Sequence, residues 1–296
     1  MNQLYNFMMH VKDHFVLLTV FLITSSIHLE AKAWGGDGHQ LVCSIAENNL
    51  TARGKSFLNR VVRQGESLKG GVMSFPESCL WPDKVKYSSR KDTYEHHFLN
   101  VPRASSTIDL SRDCPHLSCL PVGIQRSISY LVGEPGGERE RGRQAAALRY
   151  LGHYIGDLHQ PLHVSNKYDW GGNKIKVRWF GKNTNLHSVW DREIMAKINL
   201  TYPESLTFML AQKASPGNLD VMQWMGDSLH LARENAYKRP NGKLIVNNDE
   251  LGDAYFDTNK PVVIQQLLLA GHRLAMIINE IAAGRTISVI GLQLTN

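Results

Sequence analysis

The sequence predicts a mainly helical, all-α fold in a single domain with one small β-hairpin. Apolar residues recur at intervals of three and four over most of the chain, which is the spacing of one helix face. Only the segment at 173–180 alternates as a strand does. No internal repeat and no linker-like composition divides the chain, so one helical domain is the simplest arrangement.

The first element along the chain is an N-terminal leader. It contains the apolar run "FVLLTVFLITSS" and then Ala31 and Ala33, the small-residue pattern of a signal-peptidase site. A membrane anchor is the alternative, but the run is shorter than the ~20 residues of a spanning helix. We therefore predict a signal peptide at 1–33 and a mature domain at 34–296. Export to an extracellular, periplasmic or vacuolar space follows from this prediction.

Six later segments have helical spacing, and they lie near 39–50, 120–134, 143–159, 187–198, 218–236 and 261–283. A loop rich in glycine and charge, at 133–143, precedes the third of them. For the last helix we expect Asn259 as the cap, Pro261 in the first turn and Gly284 after the end. The strand at 173–180 would form one half of the hairpin.

The exported part is basic and contains every cysteine. The chain has a net charge of +6, and the four charges within the leader cancel. Such a surplus favours polyanions such as nucleic acid or anionic lipid, although many basic proteins bind neither. Outside the cell an even number of cysteines indicates disulfides, with three possible pairings, whereas metal-binding thiols would favour C-x-x-C pairs that this chain lacks. The cysteines are Cys43, Cys79, Cys114 and Cys119.

Two sequence positions are candidates for glycosylation. Asn49 and Asn199 each begin an Asn-Leu-Thr sequon. Such a sequon is used only in a host that glycosylates exported proteins. We therefore predict both as glycan acceptors, conditional on the host.

Two pairs of side chains have the spacing of metal ligands on a helix. His153 and Asp157 stand four positions apart, so they nearly share one helix face and can bind one ion together. The pair His187 and Asp191 repeats this spacing. A single histidine of this kind is more often a satisfied core or surface residue, but two repeated pairs indicate a site for several metal ions.

Further polar residues extend this pattern. Pro161 ends the helix of the first pair, so His163 leaves the helical register and can reach a second ion. His159 lies six positions after the first ligand histidine and faces away from it, which predicts a structural role. His97 and Asp83 occur in "HHFLN" and "WPDKVKY", and His39 lies just after the predicted new N-terminus; these three complete the candidate set.

Imidazoles and carboxylates without thiolates suit zinc better than magnesium or calcium. Adjacent zinc ions can bind the attacking and leaving oxygens of a phosphoryl group and lower the pKa of water towards ~7. Hydrolysis of phosphate esters therefore fits both the ligands and the positive charge. Peptide hydrolysis fits less well, because the chain has no H-E-x-x-H helix.

The chain resembles the zinc-dependent single-strand-specific nucleases of the S1/P1 type. The resemblance covers essentially the whole mature chain, through "WGGDGH", "WPDKVK", "HFLN", "HYIGDLHQPLHV", "GGNKIKV" and "NLHSVWD" in this order. It implies a mainly α fold shared with zinc-dependent phospholipase C, with three zinc ions in one cleft. It also implies disulfides that pair Cys43 with Cys79 and Cys114 with Cys119.

The resemblance also implies which residues would bind each zinc ion. Those of the first ion would be Asp83, His97, His153 and Asp157. Asp157 would bridge to a second ion that is completed by His39 and by the amine and carbonyl of Trp34. The third ion would be bound by His163, His187 and Asp191. Because the Trp34 amine exists only after cleavage, we expect the leader to block the second site until it is removed.

Residues around the ions receive roles from the same resemblance. Asp83 would orient the attacking water, and Lys86 would lie near the charge of the transition state. Phe98 would stack on a base and Asn173 would contact a base edge. Without the motifs, the lysine is a solvated helix residue, the phenylalanine a core residue and Asn173 part of a turn. Asn100 replaces an aspartate of fungal members, and an amide both donates and accepts, so the resemblance does not define the base preference of this chain.

Together these features predict a monomeric, exported, zinc-dependent endonuclease that hydrolyses single-stranded DNA and RNA to 5′-phosphate products, with 3′-nucleotidase activity. Single strands would be preferred because stacking requires an unstacked base. A phospholipase C or a phosphomonoesterase is the alternative enzyme, although "GGN" and Phe98 favour a nucleotide. A non-catalytic zinc-binding or nucleic-acid-binding protein would be expected to lack a ligand, and the sequence lacks none.

Overall fold

The computed structural model describes residues 34–68 and 71–290, so the predicted signal peptide lies outside the described residues. Helices dominate this part of the chain, as predicted. The α-helices are α1 Gly35–Asn48, α2 Ala52–Arg63, α3 Phe75–Ser78, α4 Trp81–Val85, α5 Leu110–Asp113, α6 Leu120–Leu131, α7 Glu138–His159, α8 Leu186–Ser188, α9 Ile194–Ile198, α10 Leu206–Leu210, α11 Val221–Leu231 and α12 Asp253–Ala282. Tight 3₁₀ turns occupy Gln64–Ser67, Lys91–His97 and Pro161–His163, and wider π turns occupy Val189–Glu193 and Ala232–Ala236.

Short strands complete the fold, and they are β1 Leu99–Val101, β2 Val164–Asn166, β3 Lys176–Trp179, β4 Lys182–Asn185 and β5 Asp249–Leu251. β3 and β4 form the predicted hairpin, and β5 joins β3 in parallel, which the sequence did not predict. β1 and β2 pair in parallel, with Leu99 opposite Val164. This second pairing brings the chain after His97 beside the chain after His163.

The centre of the domain is formed by the long helices α7 and α12 together with α1. Gly271 of α12 faces Ile45 of α1, where an added Cβ would lie 2.5 Å from the Ile45 side chain. The absence of a side chain at Gly271 therefore lets the two helices approach closely. α12 is long and apolar enough to cross a membrane, but 61% of its most apolar window is buried within the protein. In this fold it is a core helix.

The predicted beginning of α12 was wrong. Asn259 is not the cap and Pro261 is not in the first turn, because the helix begins at Asp253 and contains Pro261 in its interior. Tertiary contacts hold the additional turns: the buried Tyr255 hydroxyl donates to Ala236 O at 2.7 Å and accepts from the Trp190 indole at 2.8 Å. The end was predicted correctly, since Gly284 has a left-handed φ of 76° just past the helix.

Other boundaries also differ from the predictions. The glycine-rich loop at 133–143 ends early, because α7 begins at Glu138, and two glutamates in its first turn favour a helix N-terminus. The predicted helix at 187–198 is interrupted by a π turn, and the one at 218–236 ends in a π turn. α2 was missed, although it buries Phe57, Leu58 and Val61 on one face.

The cysteines form two disulfides, Cys43–Cys79 and Cys114–Cys119, as the resemblance implied. Cys43–Cys79 connects α1 to the segment between α3 and α4 and packs against Gly152 of α7. The two sequon asparagines, Asn49 and Asn199, are both exposed. Whether they carry glycans stays a prediction.

Candidate metal centre

Eight buried histidine and aspartate side chains converge in the interior of the domain. They form three groups, in each of which the candidate ligand atoms lie within 4.8 Å of one another. The groups are His39 with His153 and Asp157; Asp83 with His97 and His153; and His163 with His187 and Asp191. These are the eight side chains singled out from the sequence. The grouping differs from the implied one in two ways: His153 also lies beside His39, and Asp157 is not in the group of Asp83 and His97.

Helix α7 provides the centre of this arrangement. Its residues His153 and Asp157 project from one face, with His153 Nε2 at 3.3 Å from Asp157 Oδ2. The His39 ring of α1 stacks on the His153 ring, with centroids 3.8 Å apart. A Cβ at Gly156 would lie 2.7 Å from His39 Nδ1, so only glycine at this position of α7 lets the ring approach.

The second group draws on α4 and on the 3₁₀ turn before β1. Asp83 Oδ1 lies 3.4 Å from His153 Nε2, and His97 Nδ1 lies 2.9 Å from Asp157 Oδ2. Pro82 within the first turn of α4 suits a helix start, and it places Asp83 on the buried side of this short helix. Carboxylates from two helices therefore face the same imidazoles.

The third group lies around the π turn at 189–193. His187 Nε2 lies 3.2 Å from Asp191 Oδ2, and His163 Nε2 lies 3.9 Å from Asp191 Oδ1. The Gln160 side chain donates to Asp191 Oδ1 at 2.6 Å and accepts from the backbone N–H of Leu162. Gln160 therefore orients one carboxylate and also begins the turn that carries His163.

Backbone carbonyls orient three of the imidazoles. The Nδ1 atoms of His153, His163 and His187 each donate at 2.7 Å, to the carbonyls of Cys79, His97 and Gly171 respectively. A carbonyl can only accept, so Nδ1 carries a proton in each ring and the Nε2 atom faces the group. Metal-binding histidines in proteins are held in this way.

Charges in the centre follow from burial and close carboxylates. Burial lowers the pKa of His39 and of His187 to about 3, so both rings are neutral at neutral pH. Burial would lower the pKa of His153 as well, but the carboxylates of Asp157 and Asp83 raise it to about 10. Burial raises the pKa of Asp191 well above its usual value.

Several buried nitrogen and oxygen atoms of these eight side chains have no hydrogen-bond partner. They are both ring nitrogens of His39, Nε2 of His97 and of His163, and one carboxylate oxygen each of Asp157 and Asp191. A buried polar atom without a partner costs stability, and it is rare in folded proteins. All of these atoms belong to the three groups, so the donor set fits metal ions better than it fits internal hydrogen bonding.

Trp34 lies at the edge of this centre. Its side chain is fully buried, and the indole Nε1 donates to Gly156 O at 2.8 Å, beside the His39 ring. The Trp34 carbonyl accepts from the Gly38 N–H at 3.1 Å and keeps a second lone pair. The role of Trp34 as a main-chain ligand stays a prediction.

The other sequence-predicted residues lie around the same centre. Lys86 is buried, and its Nζ donates to Asp83 Oδ1 at 2.6 Å. Phe98 is partly exposed and contacts Tyr94 edge to face, and Asn100 lies in β1. The Asn173 side chain donates to Trp170 O at 2.9 Å, in the turn that also provides the carbonyl to His187. The bond from Asn173 to Trp170 O is the turn contact that the sequence suggested as the alternative role of Asn173.

Sequence reasoning missed Gln160 and Gly156. Both stand inside the quoted motif "HYIGDLHQPLHV", so the signal was present, but polarity alone drew attention only to the histidines and the aspartate. The structural role predicted for His159 agrees with its contacts, since it donates to Ile155 O and its Nε2 accepts from Arg273 at 2.9 Å.

Comparison with known proteins agrees with this geometry. The family model described as S1/P1 Nuclease matches residues 34–283. The chain is 30% identical to Endonuclease 1 of Arabidopsis thaliana, over 90% of this chain and 92% of that protein. It is 27% identical to Nuclease S1 of Aspergillus oryzae, over 90% and 98%, and 28% identical to Nuclease P1 of Penicillium citrinum, over 84% and 97%. The chain therefore belongs to the S1/P1 nuclease family.

Proposed function

We propose that the mature chain is an exported, monomeric, zinc-dependent endonuclease that cleaves single-stranded DNA and RNA and leaves 5′-phosphates, with 3′-nucleotidase activity on small substrates. The observation that carries the proposal is the buried centre of eight side chains with partnerless ligand atoms. The relatives named as nucleases and endonucleases support the same activity. We assign zinc because imidazole with carboxylate is a typical zinc ligand set. We assign three ions because there are three groups.

We assign the ligands to the ions as the resemblance implies. Asp83, His97, His153 and Asp157 would hold one ion, Asp157 with His39 and Trp34 a second, and His163, His187 and Asp191 the third. Bound zinc supplies positive charge to the phosphoryl oxygens and makes water more acidic. The chain's own residues provide the remaining functions.

Asp83 and Lys86 form a buried pair that faces the centre. Burial would raise the pKa of Asp83, but His153, Lys86 and His97 hold it well below its usual range, so the carboxylate is ionised. It can therefore accept a hydrogen bond from the attacking water and align it. The Lys86 ammonium stays charged beside it and can donate to a phosphoryl oxygen as negative charge develops there.

Phe98 would provide the base contact that makes single strands preferred. It is partly exposed, directly follows His97, and is held from the side by Tyr94 with ring centroids 5.7 Å apart. A base can stack on such a ring only when it has left its neighbours, which a duplex opposes. Asn100 of β1 is the next partly exposed side chain after Phe98, and it would contribute to the choice of base.

Removal of the leader would complete the second zinc site. Trp34 can offer an α-amine only when it is the first residue of the chain. A mature protein that begins at Trp34 should therefore hold one more zinc ion than a protein with one residue added before Trp34. Zinc analysis of the two forms tests this point, and equal zinc content with equal activity would refute it.

The proposed activity is tested by digesting matched single-stranded and duplex DNA, single-stranded RNA and phosphatidylcholine vesicles with the processed protein. We expect cleavage of both single strands, loss of cleavage with a chelator, recovery with zinc, and 5′-phosphate on the products. Hydrolysis of phosphatidylcholine alone would instead establish the phospholipase alternative. Zinc binding without any hydrolysis would establish a non-catalytic protein.

A further inference from the structure

A second polar pocket lies behind the metal centre, between α6, α7 and the 3₁₀ turn at Lys91–His97. We call it the α6–α7 pocket; it is lined by Arg90, Arg126, Arg143, Tyr130, Tyr150 and Tyr154 together with smaller side chains, and its volume is about 320 Å³. None of the eight candidate metal ligands lines it. The volume is that of a site for a small molecule.

The pocket has an excess of positive charge. Arg90 makes two hydrogen bonds to Asp92, at 3.1 and 2.9 Å, so this pair is neutral overall. Arg126 and Arg143 have no carboxylate within salt-bridge distance among residues 34–68 and 71–290. Arg126 Nη1 lies 3.4 Å from Nε2 of His96, a ring that offers it no negative charge. Two guanidinium groups therefore face the pocket without a counter-charge.

The floor of the pocket offers two further donors. The Tyr150 and Tyr154 rings stack with centroids 5.3 Å apart, and the two residues are 7% and 1% exposed. Thr93 lies close to both hydroxyls, but its own hydroxyl donates to Arg90 O, and neither tyrosine oxygen has a partner with hydrogen-bonding geometry. A buried hydroxyl in this state is rare unless a ligand or water satisfies it.

The donors match one class of ligand. Guanidinium groups bind phosphate oxygens through paired hydrogen bonds, and phenol hydroxyls donate to the same oxygens. A phosphate monoester carries close to two negative charges at neutral pH, which equals the charge of the two unpaired arginines. Tyr130, 41% exposed at the rim, adds a ring face on which a base can stack.

We propose that the α6–α7 pocket is a second phosphate-binding site, separate from the metal centre, which takes a phosphate group between Arg126, Arg143 and the tyrosine hydroxyls. The ligand is either inorganic phosphate or the phosphate of a nucleoside 5′-monophosphate. The inference does not depend on the reaction at the metal centre. The pocket does lie directly behind that centre, because the Tyr154 ring contacts the His97 ring edge to face at 5.2 Å.

Calorimetric titration of the zinc-loaded protein with inorganic phosphate, and separately with adenosine 5′-monophosphate, tests the site. The variants are Arg126→Gln, Arg143→Gln and Tyr154→Phe, and the control is Arg53→Gln, which removes one positive charge from an exposed position on α2. We expect one binding event to weaken about tenfold or more in each pocket variant, since a charge-assisted bond is lost. The control should bind as the unaltered protein does.

The two probes separate the two ligands. If the pocket variants weaken binding of inorganic phosphate, the pocket needs only the phosphate group. If they weaken binding of adenosine 5′-monophosphate alone, the nucleoside is required as well. Binding of either probe at the metal centre should persist in all variants. The proposal is overturned if no binding event responds to the pocket variants, or if Arg53→Gln weakens it equally. Tyr154→Phe removes the hydroxyl and keeps the ring, so this variant still tests the proposal if an arginine variant fails to fold.

Discussion

Single residues outside the candidate ligand set orient the ligand side chains, and we expect them to affect zinc affinity. Gln160 is fully buried and bonds to both Asp191 and the Leu162 N–H. We expect Gln160→Met to weaken zinc binding at the third group by roughly 10- to 100-fold, the usual effect of removing a partner of a metal ligand. Competition against a fluorescent chelator measures this.

Gln266→Met is the matched control for that experiment. Gln266 is also buried, but it lies on α12 and bonds to none of the ligand side chains. Its variant should bind zinc as the unaltered protein does. Equal weakening in both variants would mean that the loss of any buried amide lowers zinc affinity, whether or not it contacts Asp191.

Phe98 gives a prediction for the substrate. Loss of base stacking in Phe98→Ala should raise KM on single-stranded DNA by roughly 5- to 100-fold, since stacking contributes ~1–3 kcal/mol per base. Phe208→Ala, at a 46% exposed phenylalanine of α10, should leave KM unchanged. Steady-state kinetics on an unstructured oligonucleotide decides between the two outcomes. An unchanged KM in Phe98→Ala would assign this side chain to packing alone.

At this scale the sequence was informative because metal ligands have a chemical signature. The i and i+4 spacing of His153 and Asp157 follows from helix geometry, and the same pattern recurs at His187. Gln160 has no such signature, since its value depends on a carboxylate 31 residues away along the chain. The α6–α7 pocket was missed for the same reason: Arg126 and Tyr154 approach each other only when α6 packs on α7.

Helix α7 gives a prediction at the level of elements. An alanine in a helix is normally more stable than glycine by roughly 0.5–1 kcal/mol, yet at Gly156 the added Cβ would lie 2.7 Å from His39 Nδ1. We expect Gly156→Ala to displace His39, to lose zinc from the second site and to lower activity. Zinc content by mass spectrometry of the native protein, together with urea unfolding, measures these effects.

Gly226→Ala on α11 is the control for helix propensity. No atom lies within 4 Å of a Cβ at this position, so the variant should gain up to ~1 kcal/mol and keep its zinc. If Gly156→Ala behaves in the same way, the close approach of His39 to α7 is not required for the site.

Element types were easier to predict than their boundaries. Helical spacing located the core helices, but Pro261 suggested a helix start where tertiary contacts of Tyr255 extend α12 by further turns. The π turn at 189–193 has no recognisable sequence pattern, although it contains Asp191. Such turns occur often at functional sites and are selected by the packing around them.

The two disulfides give a prediction for the whole molecule. Cys43–Cys79 joins residues 36 positions apart, and Cys114–Cys119 joins residues only 5 apart. From loop-closure entropy, replacing the first pair by alanine should lower the free energy of unfolding by about 4 kcal/mol and the second by about 2 kcal/mol. Urea unfolding of the two double variants compares them. Equal losses would show that strain or packing, rather than loop length, dominates.

Removal of metal should destabilise the entire domain. The candidate ligands come from α1, α4, α7 and the segments around them, so bound zinc would stabilise the folded state by ~4 kcal/mol when free zinc is 1,000 times the dissociation constant. A chelator should therefore lower the melting temperature. The shift should be smaller in Asp191→Asn, whose third site is already weakened. An identical shift in both proteins would exclude this group as a site.

At the scale of the molecule, the fold class and the family were predictable because the motifs span the mature chain and their order is specific. The parallel pairing of β1 with β2 was not predictable, since each strand has only three residues. That pairing nevertheless places Phe98 and Asn100 beside the turn of His163. The start of the mature domain at Trp34 stays a prediction.

The disulfide between Cys43 and Cys79 has a consequence for how the metal centre matures. The Cys79 carbonyl fixes the ring of His153, and the sulfur atoms fill the space left by Gly152, one residue before that histidine. We therefore expect a chain with reduced cysteines to orient the His153 ring less firmly, and to bind metal more weakly than the oxidised chain.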